Sequence, residues 1–274
     1  MDWSKAKNVL LVVFILLNAI LLYNNYVAFS GGGNILSDEL SSNTLAVLAS
    51  RGINVNCKIP SSAKGATLIY GPYLEDRHKI ADVLLGPKAR DKIEDGKMIR
   101  EDGKELIFND NSFEFKDEKP QALENISDIE KAKLMLEDTL ENMGIPYKDF
   151  EIDSKSKPKD NIYKFEYKQV YEGYILFDNY IKAEIWTKGI KKLDFKYRSV
   201  RGIKKNTKQK IVDAYQVLLK MTDIKNVDIN KIDIGYGEYV LSWRVRLSNG
   251  SESFYSAYNG QRLDPSTEYD IVVK

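Results

Sequence analysis

The chain has 274 residues, with 41 basic and 40 acidic side chains and a net charge of +1. That balance excludes bulk nucleic-acid binding, which needs a marked basic excess. A single cysteine, Cys57, excludes an intrachain disulfide, so a folded domain here relies on its core.

In chain order, residues 8–29 come first as the one stretch long and apolar enough to cross a bilayer. Residues 9–22 hold thirteen apolar side chains and Asn18. At 1.5 Å per residue a helix over 8–29 spans roughly 33 Å, about the depth of a hydrocarbon core. Residues 1–7 carry Lys5 and Lys7 against Asp2, whereas 30–50 contain no Lys or Arg. The positive-inside rule therefore puts the tail 1–7 in the cytoplasm and the rest of the chain outside. Trp3 falls near one interface, and Tyr23, Tyr26 and Phe29 near the other. Ala28 and Ser30 would also suit a cleavage site releasing a secreted binding domain, but the long apolar run and Asp2-Trp3 favour an uncleaved anchor. The Asn18 amide is costly in hydrocarbon unless it bonds to another helix or reaches water, which makes it a candidate helix–helix contact. The plainer alternative is a tolerated single amide.

Residues 30–36, with Gly31-Gly32-Gly33, read as a flexible linker. A first α+β segment covers 37–120. Ser37 caps a short helix with Leu40, Leu45 and Leu48 on its apolar face, ended by Gly52. Strands are expected at 66–70, 80–85, 97–101 and 105–108, the last two flanking a hairpin turn at Asp102-Gly103. Phe113 and Phe115 alternate with polar residues.

A second unit covers 121–202. Ser127 with Glu130 fits a capping box. Ile129, Ala132, Leu136, Leu140 and Met143 follow at helical spacing, and Gly144 and Pro146 end the helix. Tyr163, Phe165 and Tyr167, then Ile181, Ala183 and Ile185, then Leu193 and Phe195 alternate with charged residues. They read as strands with one wet face, hence antiparallel. A third unit covers 203–274: Asn206 caps a helix with Ile211, Ala214, Tyr215 and Leu218, and strands follow at 232–236, 240–247 and 253–257. The expected fold class is α+β: one N-terminal transmembrane helix, then antiparallel sheets each packed on a helix. Two units are related and 37–120 is a degenerate further one.

No catalytic set stands out. The single histidine, His78, follows Glu75-Asp76-Arg77, where adjacent groups rarely point at one ion, and reads as a solvated turn. Ser61-Ser62-Ala63-Lys64 fits Ser-x-x-Lys but lacks the later Ser-x-Asn and Lys-Thr-Gly. Asp228, Asn230 and Asp233 are spaced like part of a calcium loop, yet Ile232 and Asp233 break the pattern and the alternation says strand. No metal or cofactor is expected. Residues 188–210 hold ten Lys or Arg with Asp194 the lone acid. Lys192, Lys196 and Arg198 are therefore candidates for docking an acidic partner, against the plainer reading of a solvated sheet face.

The opening Met1-Asp2-Trp3-Ser4-Lys5-Ala6-Lys7, running straight into the apolar helix, resembles the YycI family. Chain length, the N-terminal anchor and a Tyr- and Lys-rich β domain beyond it also match. These proteins are single-pass membrane accessories of the essential cell-wall two-component system of low-GC Gram-positive bacteria. The resemblance implies a non-enzymatic regulator in the cell membrane that binds a membrane sensor histidine kinase together with a YycH-like companion. Whether it works as a homo- or hetero-dimer stays open. The competing classes are a wall-associated hydrolase using paired carboxylates and the cleaved, secreted binding domain.

Overall fold

The computed structural model describes residues 7, 10, 11, 13, 14, 17, 18, 34–60, 65–73, 76–87, 89, 98–121, 126–159, 161–205, 210–221, 225–237 and 240–263. The expected aromatic belt, the triple glycine, the Ser-x-x-Lys stretch at 61–64 and Asn206 lie outside these residues. Of the expected span, Leu10, Leu11, Val13, Phe14, Leu17 and Asn18 are helical. Among the described residues no helix is long and apolar enough to cross a membrane.

The elements in order are α1 (Asn34–Ser50), β1 (Ile53–Val55), β2 (Ala66–Tyr73), α2 (Arg77–Leu85), β3 (Met98–Glu101), β4 (Lys104–Phe108), β5 (Ser112–Asp117) and α3 (Ile129–Met143). Then come β6 (Phe150–Lys159), β7 (Ile162–Tyr171), β8 (Tyr174–Trp186), β9 (Gly189–Lys196), β10 (Arg198–Lys205), α4 (Ala214–Lys220), β11 (Val227–Gly237), β12 (Val240–Leu247), β13 (Glu252–Ser256) and β14 (Arg262–Leu263). They fall into two compact units, neither contiguous in sequence.

The first unit comprises Met1–Ser62, Asp213–Ile232 and Arg246–Ser251. Within it β1 runs parallel to the start of β11, with Ile53 opposite Val227 and Val55 opposite Ile229. Leu48, Ile53, Val217, Leu218 and Ile229 are buried. The Arg51 guanidinium donates to the Leu219 carbonyl at 3.0 Å, tying the end of α1 to α4. Helix α1 starts at Asn34, so Ser37 lies inside it rather than capping it. Among its described side chains, those of 41–50, Thr44 and Leu48, one turn apart, face inward, while Leu45 is exposed. Helix α4 has seven residues and starts at Ala214, after Ile211.

The second unit comprises Ala63–Val212, Asp233–Val245 and Glu252–Lys274. The Val212 N–H is already committed to the Ala257 carbonyl at 2.8 Å and its carbonyl accepts from the Trp243 indole, which keeps Ile211 and Val212 out of a helix. The sheet runs β6-β7-β8-β9-β5-β4-β3 with antiparallel neighbours. At the start of β8 the end of β11 joins it in parallel, Gly235 opposite Ile175 and Tyr236 opposite Leu176. These sheets are therefore antiparallel-rich rather than purely antiparallel. A separate two-stranded sheet pairs β2 with β10.

The core of this unit is the apolar face of α3, Ala132, Leu136, Leu140 and Met143, packed with Phe113, Phe165, Ile181, Leu193 and Phe195. The N-cap of α3 is Asp128, one residue beyond Ser127. Its carboxylate accepts from the Lys131 N–H at 2.8 Å and from the Ser127 hydroxyl at 3.1 Å, and the backbone bond holds its carboxyl below the usual aspartate range. Residues 80–85, expected as a strand, belong to helix α2. Asp76 caps it by accepting from the Lys79 N–H at 3.0 Å, and Ile80, Ala81 and Leu84 fall on one buried helical face. His78 is accordingly solvent-exposed, as expected, but in the first turn of a helix. The β3–β4 hairpin turns through Asp102 at φ 51° and Gly103 at φ 81°, the two left-handed positions of a tight turn whose twist matches its strands. On strand β12, Ser242 and Arg244 are as buried as Leu241 and Trp243, so neither face of it is wet there.

Candidate partner-binding surface

The basic run is laid along β9 and β10. On β9, Leu193 and Phe195 enter the core, which leaves Lys192, Asp194 and Lys196 on the opposite face. Strand register sets opposite charges beside one another there. Lys164 lies opposite Glu184, and Glu184 opposite Lys192; Glu166 lies opposite Lys182, and Lys182 opposite Asp194. Lys192 donates to Asp194 at 2.6 Å, a bond that holds its ammonium above the usual lysine range. Lys164 donates to Glu184 at 2.6 Å. Lys182 sits 3.5 Å from Glu166. With Ser154 and Ser156 these residues line a groove of about 330 Å³.

Lys196 and Arg198 belong to a different hollow, of about 80 Å³, shared with Tyr70, Asn111, Asn179 and Tyr236. Lys196 reaches Asp178 at 3.7 Å. The Arg198 guanidinium lies 4.8 Å from the centre of the Tyr70 ring, within cation–π range. Asn179 sets this geometry. Its amide donates to the Gln169 side chain and to the Arg198 carbonyl, and its oxygen accepts from the Arg198 N–H at 3.0 Å. The structure thus brings Lys196 and Arg198 together and places Lys192 in the other groove. Lys192 and Lys196 each have a carboxylate beside them, so the patch is less positive than its sequence.

Asn18 donates to the Phe14 carbonyl at 2.8 Å within its own helix. Lys7, Leu10, Leu11, Val13, Phe14 and Leu17 line one stripe there. Each of its five apolar side chains is more than half exposed.

Sequence reasoning missed a buried ion cluster. Arg244, fully buried on β12, makes a bidentate pair with Asp153 at 2.6 and 2.7 Å. It also donates to Asp233 through Nε and Nη2 and to Glu252 at 3.3 Å. Those five bonds use all five guanidinium donors. Its ring-like plane lies 4.9 Å from the Phe177 centroid. Burial opposes the charge, but the Asp153 and Asp233 carboxylates hold the guanidinium well above its ordinary pKa. Lys168 sits nearby, buried, donating to the Phe177 carbonyl at 2.7 Å and lying 4.9 Å from the Tyr180 ring. Burial pulls its ammonium below the usual lysine range.

Glu166, Glu184 and Asp194 in the larger groove and Asp178 in the smaller are each held by a lysine. Among the described residues no three His, Cys, Asp or Glu side chains gather as a metal site. Asp228, Asn230 and Asp233 lie along β11, as the alternation indicated.

The sequence model of the YycI protein family matches residues 33–257. No curated protein matches the chain significantly. Among solved structures the fold is similar to the crystal structure of YycH from Bacillus subtilis, with a TM-score of 0.50 and 12% identity over 70% of this chain and 50% of that one. It is also similar, at a TM-score of 0.37 and 11% identity, to the C-terminal domain of YpeB from Bacillus megaterium, over 71% of this chain and 97% of that one. The chain spans about half the length of the YycH structure it matches, and that likeness is one of fold.

Proposed function

The chain belongs to the YycI family, and on that premise we propose that it is a non-enzymatic regulatory accessory of a cell-wall two-component system. The observation that carries the reading is the family match itself, which takes in nearly the whole chain beyond the expected membrane span. The lysine-held acids of both grooves agree with a protein that acts by binding.

In finer detail, the chain is a single-pass protein of the cell membrane, N-terminus inside, and binds a membrane sensor histidine kinase beside a YycH-like companion. The exposed apolar stripe from Leu10 to Leu17 supports a helix that faces lipid or another helix. Asn18 supplies a polar contact on it. The fold likeness to YycH supports two companions of one design. Lys192, Lys196 and Arg198 form a second, weaker contact outside the membrane. To regulate, the chain must bind one state of the kinase more tightly than the other; attachment alone shifts nothing.

The test is co-purification in mild detergent of the tagged full-length chain, the chain lacking residues 1–30, and Asn18→Leu. The kinase should follow the full-length chain, be lost without residues 1–30 and be reduced by Asn18→Leu. A kinase that follows the truncated chain equally well would move the contact to the outer domain. No kinase with either form would remove the reading.

A further inference from the structure

The two-stranded sheet of β2 and β10 differs from the rest of the second unit in three ways. No third strand pairs with it among the described residues, and side chains take up its backbone only towards the ends, where Asn179 holds the Arg198 N–H and carbonyl and the Tyr236 hydroxyl donates to the Ala66 carbonyl. Neither strand carries an acid, whereas β10 carries Arg198, Arg201, Lys204 and Lys205. Its outer face is also partly apolar: Ile69 is 52% exposed, with Thr67 beside it on β2 and Lys204 opposite Thr67 on β10. Arg201 and Lys204 are exposed, and neither makes an ion pair among the described residues. Elsewhere on this unit Lys164, Lys182 and Lys192 stand beside carboxylates. Gly202 lies opposite Ile69, and a side chain built there would meet nothing within 4 Å. That leaves an open notch beside the exposed isoleucine.

An isolated two-stranded ribbon is marginal, and a third strand strengthens it. Strand addition supplies backbone hydrogen bonds, while alternate side chains supply selection. Cross-strand pairs of opposite charge add to the pairing and like charges oppose it. We propose that the β2–β10 ribbon is a docking edge for an extended acidic peptide segment of a partner protein, which adds beside β10 with its carboxylates on the face that carries Arg201 and Lys204. The ribbon alone carries this inference; it holds whether or not the partner is a kinase. The competing role for these cations is to guard an open edge against pairing with other chains. A guard makes no use of a carboxylate partner.

The experiment uses the full-length chain in mild detergent and a labelled, end-blocked peptide Val-Glu-Val-Glu-Val-Glu, with Val-Gln-Val-Gln-Val-Gln as control. Anisotropy should give saturable binding of the acidic peptide that weakens as salt rises. Binding should be at least about tenfold tighter than that of the control, and at least about tenfold weaker for Arg201→Glu with Lys204→Glu. The milder pair Arg201→Gln with Lys204→Gln should fall between, with the circular dichroism of both variants unchanged. Amide exchange at 200–205 should slow when the peptide is bound. Equal binding to wild type and variants, or binding without slowed exchange on β10, would overturn the proposal. So would capture of phosphatidylglycerol vesicles with no peptide binding, or self-association of the variants with no peptide binding by the wild type.

Discussion

Arg244 has a carboxylate for every guanidinium N–H, so its removal leaves Asp153, Asp233 and Glu252 facing one another with no cation between them. Breaking a buried ion pair from one side costs about 3–5 kcal/mol. Arg244→Met should lower stability by that amount in urea unfolding. Lys164→Ala, which breaks the more exposed pair with Glu184, should cost no more than about 1 kcal/mol. Lys168 gives a pH test with a definite sign. Burial lowers its pKa in the folded chain, so between that value and 10.5 the unfolded chain binds the extra proton. Stability from this group therefore rises with pH across that window, and the handicap is full below it. The difference in urea midpoint between wild type and Lys168→Met should move in favour of wild type as pH rises from neutral towards 10.5. Taking the difference removes the buried tyrosines, which titrate in both proteins. None of this was legible in the sequence. Asp153 lies 91 positions from Arg244, and on a strand Arg244 alternates with apolar residues as any surface arginine does.

At the scale of elements, legibility followed the length and strength of the local signal. Helix α3 announced itself because four turns of apolar period, an acid near its start and a left-handed Gly144 at its end all agree. The β3–β4 hairpin was legible from Asp102-Gly103 alone, since few residue pairs accept two left-handed positions in succession. Gly103→Val should cost about 1–2 kcal/mol, the penalty for a side chain in that backbone region, read as a lower midpoint in urea. Helix α2 was misread because Ile80, Val83 and the neighbouring leucines favour strands as a short run; the cap that decides it, Asp76, precedes the run. Helix α4 came out shorter than its apolar spacing because Val212 is held by Ala257 and Trp243, partners far along the chain. The basic patch was legible as charge but not as geometry. Glu184 and Asp178, which temper Lys192 and Lys196, arrive from the neighbouring strand β8, and Arg198 is aimed by Asn179.

For the whole molecule, the chain belongs to the YycI family, and the proposed role is one of binding. An apolar N-terminal stripe, lysine-held acids and a cationic ribbon would serve that role. Contact becomes regulation only through unequal affinity for two states of the partner, and a bias of 1–3 kcal/mol corresponds to roughly 5- to 150-fold in the equilibrium. The most direct measurement is the autophosphorylation rate of the full-length sensor kinase, reconstituted in lipid vesicles with and without this chain at saturating amount. The account expects the rate to change by at least about fivefold, in either direction, and Asn18→Leu to return it towards that of the kinase alone. A kinase that binds the chain in those vesicles yet phosphorylates at an unchanged rate would contradict it.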